Sequence, residues 1–263
     1  MAAERITVEG AGVMKIELAG KRAVVTGGSR GIGRAIALGL ADTGATVSIC
    51  ARGAEGVARV REEIAARGVR AHGAACNVAD GAALAAYIDA AAGALGGIDI
   101  LVCNASGFGT SHDEAGWQKS IDVDLLGTVR AIRAAVPHLE KSGAGAIVNI
   151  SSISGLVASA RTPPYGAVKA ALIEYTQTEA SLLAKKRIRV NCVAPGSIEF
   201  PGGSWEQRKT DNPPLYNAIL RSIPFGRLGY PEEVAQVVVF LASPLAGWVT
   251  GQTISVDGGQ LLR

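Results

Sequence analysis

The chain has 263 residues, of which 48% are hydrophobic and 19% charged, which suits one sizeable α/β core and argues against disorder. Its 26 basic residues against 23 acidic ones leave a formal charge of only +3, and no stretch concentrates Lys and Arg into a stripe, which speaks against a nucleic-acid partner. Residues 1–20 carry Glu4, Arg5 and Glu9 and no continuous apolar run, so they fit neither a cleaved signal nor a membrane anchor; they are read as an N-terminal extension on a cytoplasmic protein.

Short β-branched runs then alternate with Ala-rich helical stretches. Strands are predicted over 23–26, 45–51, 98–103, 146–151, 188–193 and 253–256, and helices over 34–41, 57–66, 84–95, 122–139, 167–183 and 232–241. Such alternation builds βαβ units. The expected fold class is α/β, a Rossmann-like doubly wound parallel sheet with helices on both faces, as a single domain over 21–263. Cys50, Cys76, Cys103 and Cys192 are widely spaced without CxxC pairs and are read as reduced core thiols. His72, His112 and His138 lack ligand spacing, so no metal is expected. One long irregular stretch, 195–224, holds Pro201, Pro213 and Pro214 beside Phe200, Trp205 and Tyr216. A stretch of that kind in a small domain is commonly functional, and a substrate lid is expected over about 197–224.

The first strand runs into Gly27-Gly28-Ser29-Arg30-Gly31-Ile32-Gly33 and then a helix. Glycines permit a tight turn and close backbone approach, while free amides and the helix dipole favour a pyrophosphate. At the end of the second strand, where an NAD site places a carboxylate on the ribose diol, stand Ala51 and Arg52. With Arg30 in the glycine loop, Arg52 suits recognition of a 2′-phosphate, so NADP(H) is expected over NAD(H).

Further along, Ser151-Ser152 ends a strand at the carboxyl edge where open α/β sheets bind ligands. Thr162 is the expected N-cap of the next helix, with Pro163 at its first position. Tyr165 and Lys169 then share one helix face at i and i+4. A tyrosine ordinarily titrates near pH 10, so a neighbouring ammonium that favours the phenolate suits it to proton transfer nearer neutrality.

The spacing Gly27-x-x-x-Gly31-x-Gly33, with Asn104-Ala105 after the strand ending at Cys103, Tyr165-x-x-x-Lys169, Pro195-Gly196 and Val256-Asp257-Gly258-Gly259, resembles the short-chain dehydrogenase/reductase family from Gly27 to Gly259. The resemblance implies that Ser152 polarises the substrate oxygen, Tyr165 gives or takes the proton, and Lys169 also bonds the nicotinamide ribose. It further implies cofactor contacts from Gly27, Ser29, Arg30, Gly31, Ile32, Gly33, Arg52, Asn77 and Val78. Asn104, Ala105, Ser106, Ile150, Pro195, Gly196 and Ile198 join them. Substrate contacts fall to Ser152, Ser154, Tyr165 and Phe200, and a homotetramer is implied, built on the helices over 122–139 and 167–183. Phe108, Ser154, Phe200, Trp205 and Tyr216 suggest an apolar substrate pocket.

Four positions depart from the family pattern. Ser106 replaces a glycine, Asn77 an aspartate that holds the adenine, and Phe200 a threonine that touches the carboxamide. Asp124, 28 residues before Ser152, stands where the family usually has an asparagine that helps hold a relay water, and it is carried as a fourth catalytic candidate. An ionised Asp124 near Lys169 favours the protonated lysine, whereas one buried without a partner is costly or neutral. The leading reading is NADP(H)-dependent interconversion of a ketone or 3-oxo group and a secondary alcohol. A non-catalytic NADP(H) sensor, favoured only by Asp124, and an isomerase or lyase on the same fold are the alternatives.

Overall fold

Successive side chains of a strand point to opposite faces of its sheet, and here both faces are covered. In β1 (Arg22–Thr26), Val25 packs into a cluster with Ile36 and Leu40, whereas its neighbour Val24 packs with Leu84, Ile88 and Ile132. That double burial explains why the strand reads as a continuous apolar run rather than an alternation. The computed structural model describes residues 15–262. Its other strands are β2 (Thr46–Ala51), β3 (Ala71–Ala75), β4 (Ile100–Cys103), β5 (Ala146–Ile150), β6 (Arg189–Pro195) and β7 (Thr253–Val256). All pair in parallel in the order β3-β2-β1-β4-β5-β6-β7. The order reverses between β1 and β4, and a crevice opens there at the carboxyl ends of the strands.

The helices are α1 (Gly31–Asp42), α2 (Ala54–Ala65), α3 (Gly81–Leu95), α4 (Glu114–Lys119), α5 (Gly127–Ser142), α6 (Pro163–Leu183), α7 (Ser204–Asp211), α8 (Pro213–Ser222) and α9 (Pro231–Ala242). Helices α1, α2 and α9 supply one apolar cluster, and α3, α5 and α6 the other. Truncating a fully buried member such as Ile36 or Leu84 to alanine costs about 2–5 kcal/mol.

Four expectations need correction. Strand β3, with the sequence AHGAA, has no β-branched residue to announce it and exists because β2 offers it a ladder from Val47↔Ala71 to Ala51↔Ala75. The helix expected over 122–139 begins at α4 and passes through a π-helical segment, Ser120–Leu126, before α5. The stretch expected to be irregular folds as α7 and α8. Pro213 and Pro214 open α8, with the Asn212 side chain accepting from the Leu215 amide, so these prolines mark a helix start. Residues 15–20 also belong to the body of the fold: Leu18 is fully buried and its amide bonds the Thr43 carbonyl at 2.7 Å. The rest of the expected extension, 1–14, lies outside the described residues. Among those described, no helix is long and apolar enough to cross a membrane.

Candidate active site

At the switch point the two central strand ends are tied together. Asn104, just past β4, donates its amide nitrogen to the carbonyls of Thr26 (3.1 Å) and Gly27 (3.0 Å), and the Thr26 hydroxyl accepts from the amides of Asn104 and Ala105. The chain then turns at Gly27, whose φ of +70° favours glycine, and a side chain on Gly33 would run into the Gly27 carbonyl and the Asn104 amide. Arg30 occupies the N-cap of α1 without a side-chain capping hydrogen bond, and no acid sits in the first turn. The orphan amides there are left for an anion. A cleft of about 860 Å³ opens from this turn to Tyr165.

Of the sequence-predicted residues, all but Gly31, Ser154, Asp124 and Tyr216 line the cleft. Gly31, at φ +52°, faces the Phe200 ring, which lies 2.6 Å from where a Cβ would sit. Ser154, expected to touch substrate, stands outside the cleft lining, and its amide donates to Ser152 Oγ at 3.1 Å and so orients that hydroxyl. Asp124 lies behind the wall, fully buried. Arg30 reaches across the cleft, its guanidinium donating to the Gly202 carbonyl at 3.2 Å. Tyr216, grouped with the pocket aromatics, turns away to bond Glu199 at 2.6 Å within the small cluster formed with Ile223 and Leu228. The cleft also recruits Lys119, Asp122 and Val123 from the α4–π junction. No spacing rule in the sequence marked them, because the π turn that presents them was not legible.

The floor beneath Tyr165 is a buried polar network. Ser152, 8% exposed, lies two residues past the end of β5, and Ser151 beside it donates to the Lys169 carbonyl at 2.7 Å. Pro163 opens α6 as expected, but the Thr162 hydroxyl bonds Ser159 rather than capping the helix. Tyr165, on the first turn, meets the Phe108 ring edge-on at 5.1 Å and has the Lys169 ammonium 5.4 Å from its ring centre. Lys169 itself is 2% exposed. Its Nζ donates to the Ile150 carbonyl at 2.9 Å and pairs with Asp124 Oδ1 at 3.0 Å, while Asp124 Oδ2 accepts from the Gly107 amide at 2.8 Å. Burial pulls the ammonium toward neutrality, but the charges of Asp124 and Tyr165 outweigh it and hold the Lys169 pKa above its ordinary value. Of the two situations considered for Asp124, the structure has the partnered one: a direct ion pair within the π segment, with Thr128 Oγ1 closing on the Asp124 carbonyl at 2.8 Å. Single π turns favour functional sites, and this one carries Asp124 inward to the lysine.

Among the described residues no three His, Cys, Asp or Glu side chains could hold a metal ion, and all four cysteines are free and buried.

A family model described as enoyl-(acyl carrier protein) reductase matches residues 27–260. The isoepoxydon dehydrogenase patN of Aspergillus clavatus is 39% identical over 255 residues, covering 94% of this chain and 97% of its own. The 3-oxoacyl-[acyl-carrier-protein] reductase FabG of Aquifex aeolicus is 39% identical over 254 residues, covering 94% and 99%. Among solved structures, the L-sorbose reductase of Gluconobacter frateurii, complexed with NADPH and L-sorbose, superposes with a TM-score of 0.87 at 32% identity, covering 95% of this chain and all of that one. Matches of this extent, over a parallel sheet with the glycine turn at its switch point, show that the chain belongs to the short-chain dehydrogenase/reductase family and is an oxidoreductase of alcohol and carbonyl groups.

Proposed function

We propose that the protein interconverts a ketone or 3-oxo group and a secondary alcohol with NADP(H), using Tyr165 as the general acid and base. The observation that carries this reading is the convergence of Ser152, Tyr165 and Lys169 at one end of a cleft whose other end is an uncapped helix N-terminus behind a glycine turn. The fold serves both nicotinamide cofactors, so the end of β2 decides between them: Ala51 offers no carboxylate, and the cleft-lining guanidinium of Arg52 suits a 2′-phosphate. Bound there, the dinucleotide supplies or takes the hydride.

The chain's own groups do the rest. Ser152 Oγ, held by the Ser154 amide, donates to the substrate oxygen and polarises its carbonyl. The Tyr165 hydroxyl delivers the proton in reduction and removes it in oxidation. Lys169, kept charged by Asp124, favours the phenolate left behind; Asp124 is a positioning residue that acts through the lysine. Residues 197–224 act as the substrate lid, Phe200 and Phe108 give the reacting end an apolar wall, and the working assembly is a homotetramer. A non-catalytic sensor has no use for this buried network, and an isomerase or lyase would return its cofactor unchanged. The deciding experiment is an absorbance screen of NADPH and NADH oxidation against ketones and 3-oxoacyl thioesters. Turnover with NADPH preferred is expected; binding of NADPH without oxidation by any member would overturn the reading.

A further inference from the structure

Beside the main cleft lies a second hollow of about 310 Å³, and Phe108 forms part of the wall of both. Phe108 sits at φ +50°, a left-handed conformation that costs a bulky residue energy, and its ring rests edge-on against Tyr165. On the other side the hollow is walled by Arg30, Ser204, Gln207, Arg208 and Asp211. Arg30 already donates to the Gly202 carbonyl. Arg208 is different: half-buried on α7, it lies 4.9 Å over the Trp205 ring, and among the described residues no carboxylate or carbonyl accepts from it. Burial, and after it the charge of Arg161, push its guanidinium below the ordinary arginine value. Arg161 stands immediately before the N-cap of the helix that carries Tyr165. Within the hollow, the guanidiniums of Arg30 and Arg208 against the single carboxylate of Asp211 leave one positive charge, which matches a monoanion better than a phosphate dianion.

We propose that this hollow holds a carboxylate of the carbonyl substrate against Arg208, so that the enzyme's substrates are oxo acids whose reacting carbonyl lies across Phe108 at Tyr165. The proposal rests on the reductase reading for the word substrate, but not for the binding of the anion.

The test uses the full chain and a non-reacting probe. Benzoate is titrated while tryptophan fluorescence is followed, with neutral benzamide as its isostere; Trp205 reports because it carries the Arg208 guanidinium. A saturable change with benzoate at least tenfold tighter than with benzamide, absent in Trp205→Phe and weakened at least tenfold in Arg208→Gln, is expected. In parallel, kcat/KM is compared for 4-oxopentanoate and its methyl ester, and Arg208→Gln is expected to lower the acid at least tenfold more than the ester, mostly through KM. Equal responses to benzoate and benzamide, or benzoate binding that persists unchanged in Arg208→Gln, overturn the proposal. Ketone reduction that survives such a result leaves the reductase reading standing, whereas selective benzoate binding without any NADPH oxidation overturns that reading alone.

Discussion

The floor of the active site and the segment that covers it are built on opposite principles. Beneath Tyr165, Lys169, Asp124, Ser151 and Ser152 are all at most 8% exposed and are held by strand ends, helix backbone and one another. Helices α7 and α8, the proposed lid, rest on an apolar cluster with only three buried members and on exposed or half-exposed polar ties: Tyr216 to Glu199, Lys209 to Glu199, and Arg30 to Gly202. A group that must present a charge at a fixed point needs a dry, fully partnered setting. A cover that admits substrate needs contacts cheap enough to break. The Tyr216–Glu199 bond pushes the phenol up to about 12, so it stays a donor throughout the working range.

The sharpest way to break the contrast is Asp124→Leu, which strands the Lys169 ammonium in the core. A loss of about 3–5 kcal/mol in unfolding free energy is expected, with a large fall in kcat. Because the folded lysine titrates above its unfolded value near 10.4, the pair's stabilisation is present below that pH and is lost as pH rises through the folded value. Denaturant melts should therefore show wild type and Asp124→Leu converging at strongly alkaline pH. Asp124→Asn keeps the size and one acceptor, and its rate should stay within about tenfold, or roughly 1.4 kcal/mol of barrier. Full activity in the leucine form, with an unaltered pH–rate profile, would remove Asp124 from the proton path.

Tyr165→Phe removes the proton donor and little volume. Turnover should fall by about 10²–10⁴ while fluorescence titration gives an unchanged cofactor affinity; retention of a tenth of the parent rate would reassign the acid. Arg52→Ala tests the far end of the cleft, where the KM for NADPH should rise at least tenfold, or roughly 1.4 kcal/mol, and that for NADH much less. Equal losses would mean that Arg52 does not read the 2′-phosphate. The smallest effect is expected from Tyr216→Phe in the cover: about 1 kcal/mol of stability and a severalfold rise in substrate KM at nearly constant kcat. If instead kcat fell as it does in Tyr165→Phe, the cover would have to be counted as part of the floor.

What could be read in the amino-acid sequence was whatever is carried by local spacing. The alternation of apolar runs and Ala-rich stretches determined the doubly wound sheet, since period and length are properties of each segment alone. The glycine turn, Asn104, Ser152, Tyr165 and Lys169 were legible because each follows a strand end or sits at i, i+4 on one helix. Contacts between distant segments decided the rest. Strand β3 has no propensity of its own and is made by its neighbour β2. The shift of phase that turns Asp124 inward depends on the Thr128 bond and on Lys169, 45 positions away. Helix α8 looked irregular because Pro213 and Pro214 punctuate the stretch, yet they are its first-turn residues. Whether Asp124 is partnered, whether Ser154 faces substrate or supports Ser152, and whether Arg208 meets an acid are questions of three-dimensional proximity and burial. Those quantities set the electrostatics of the site, and they come into being only when the chain is packed.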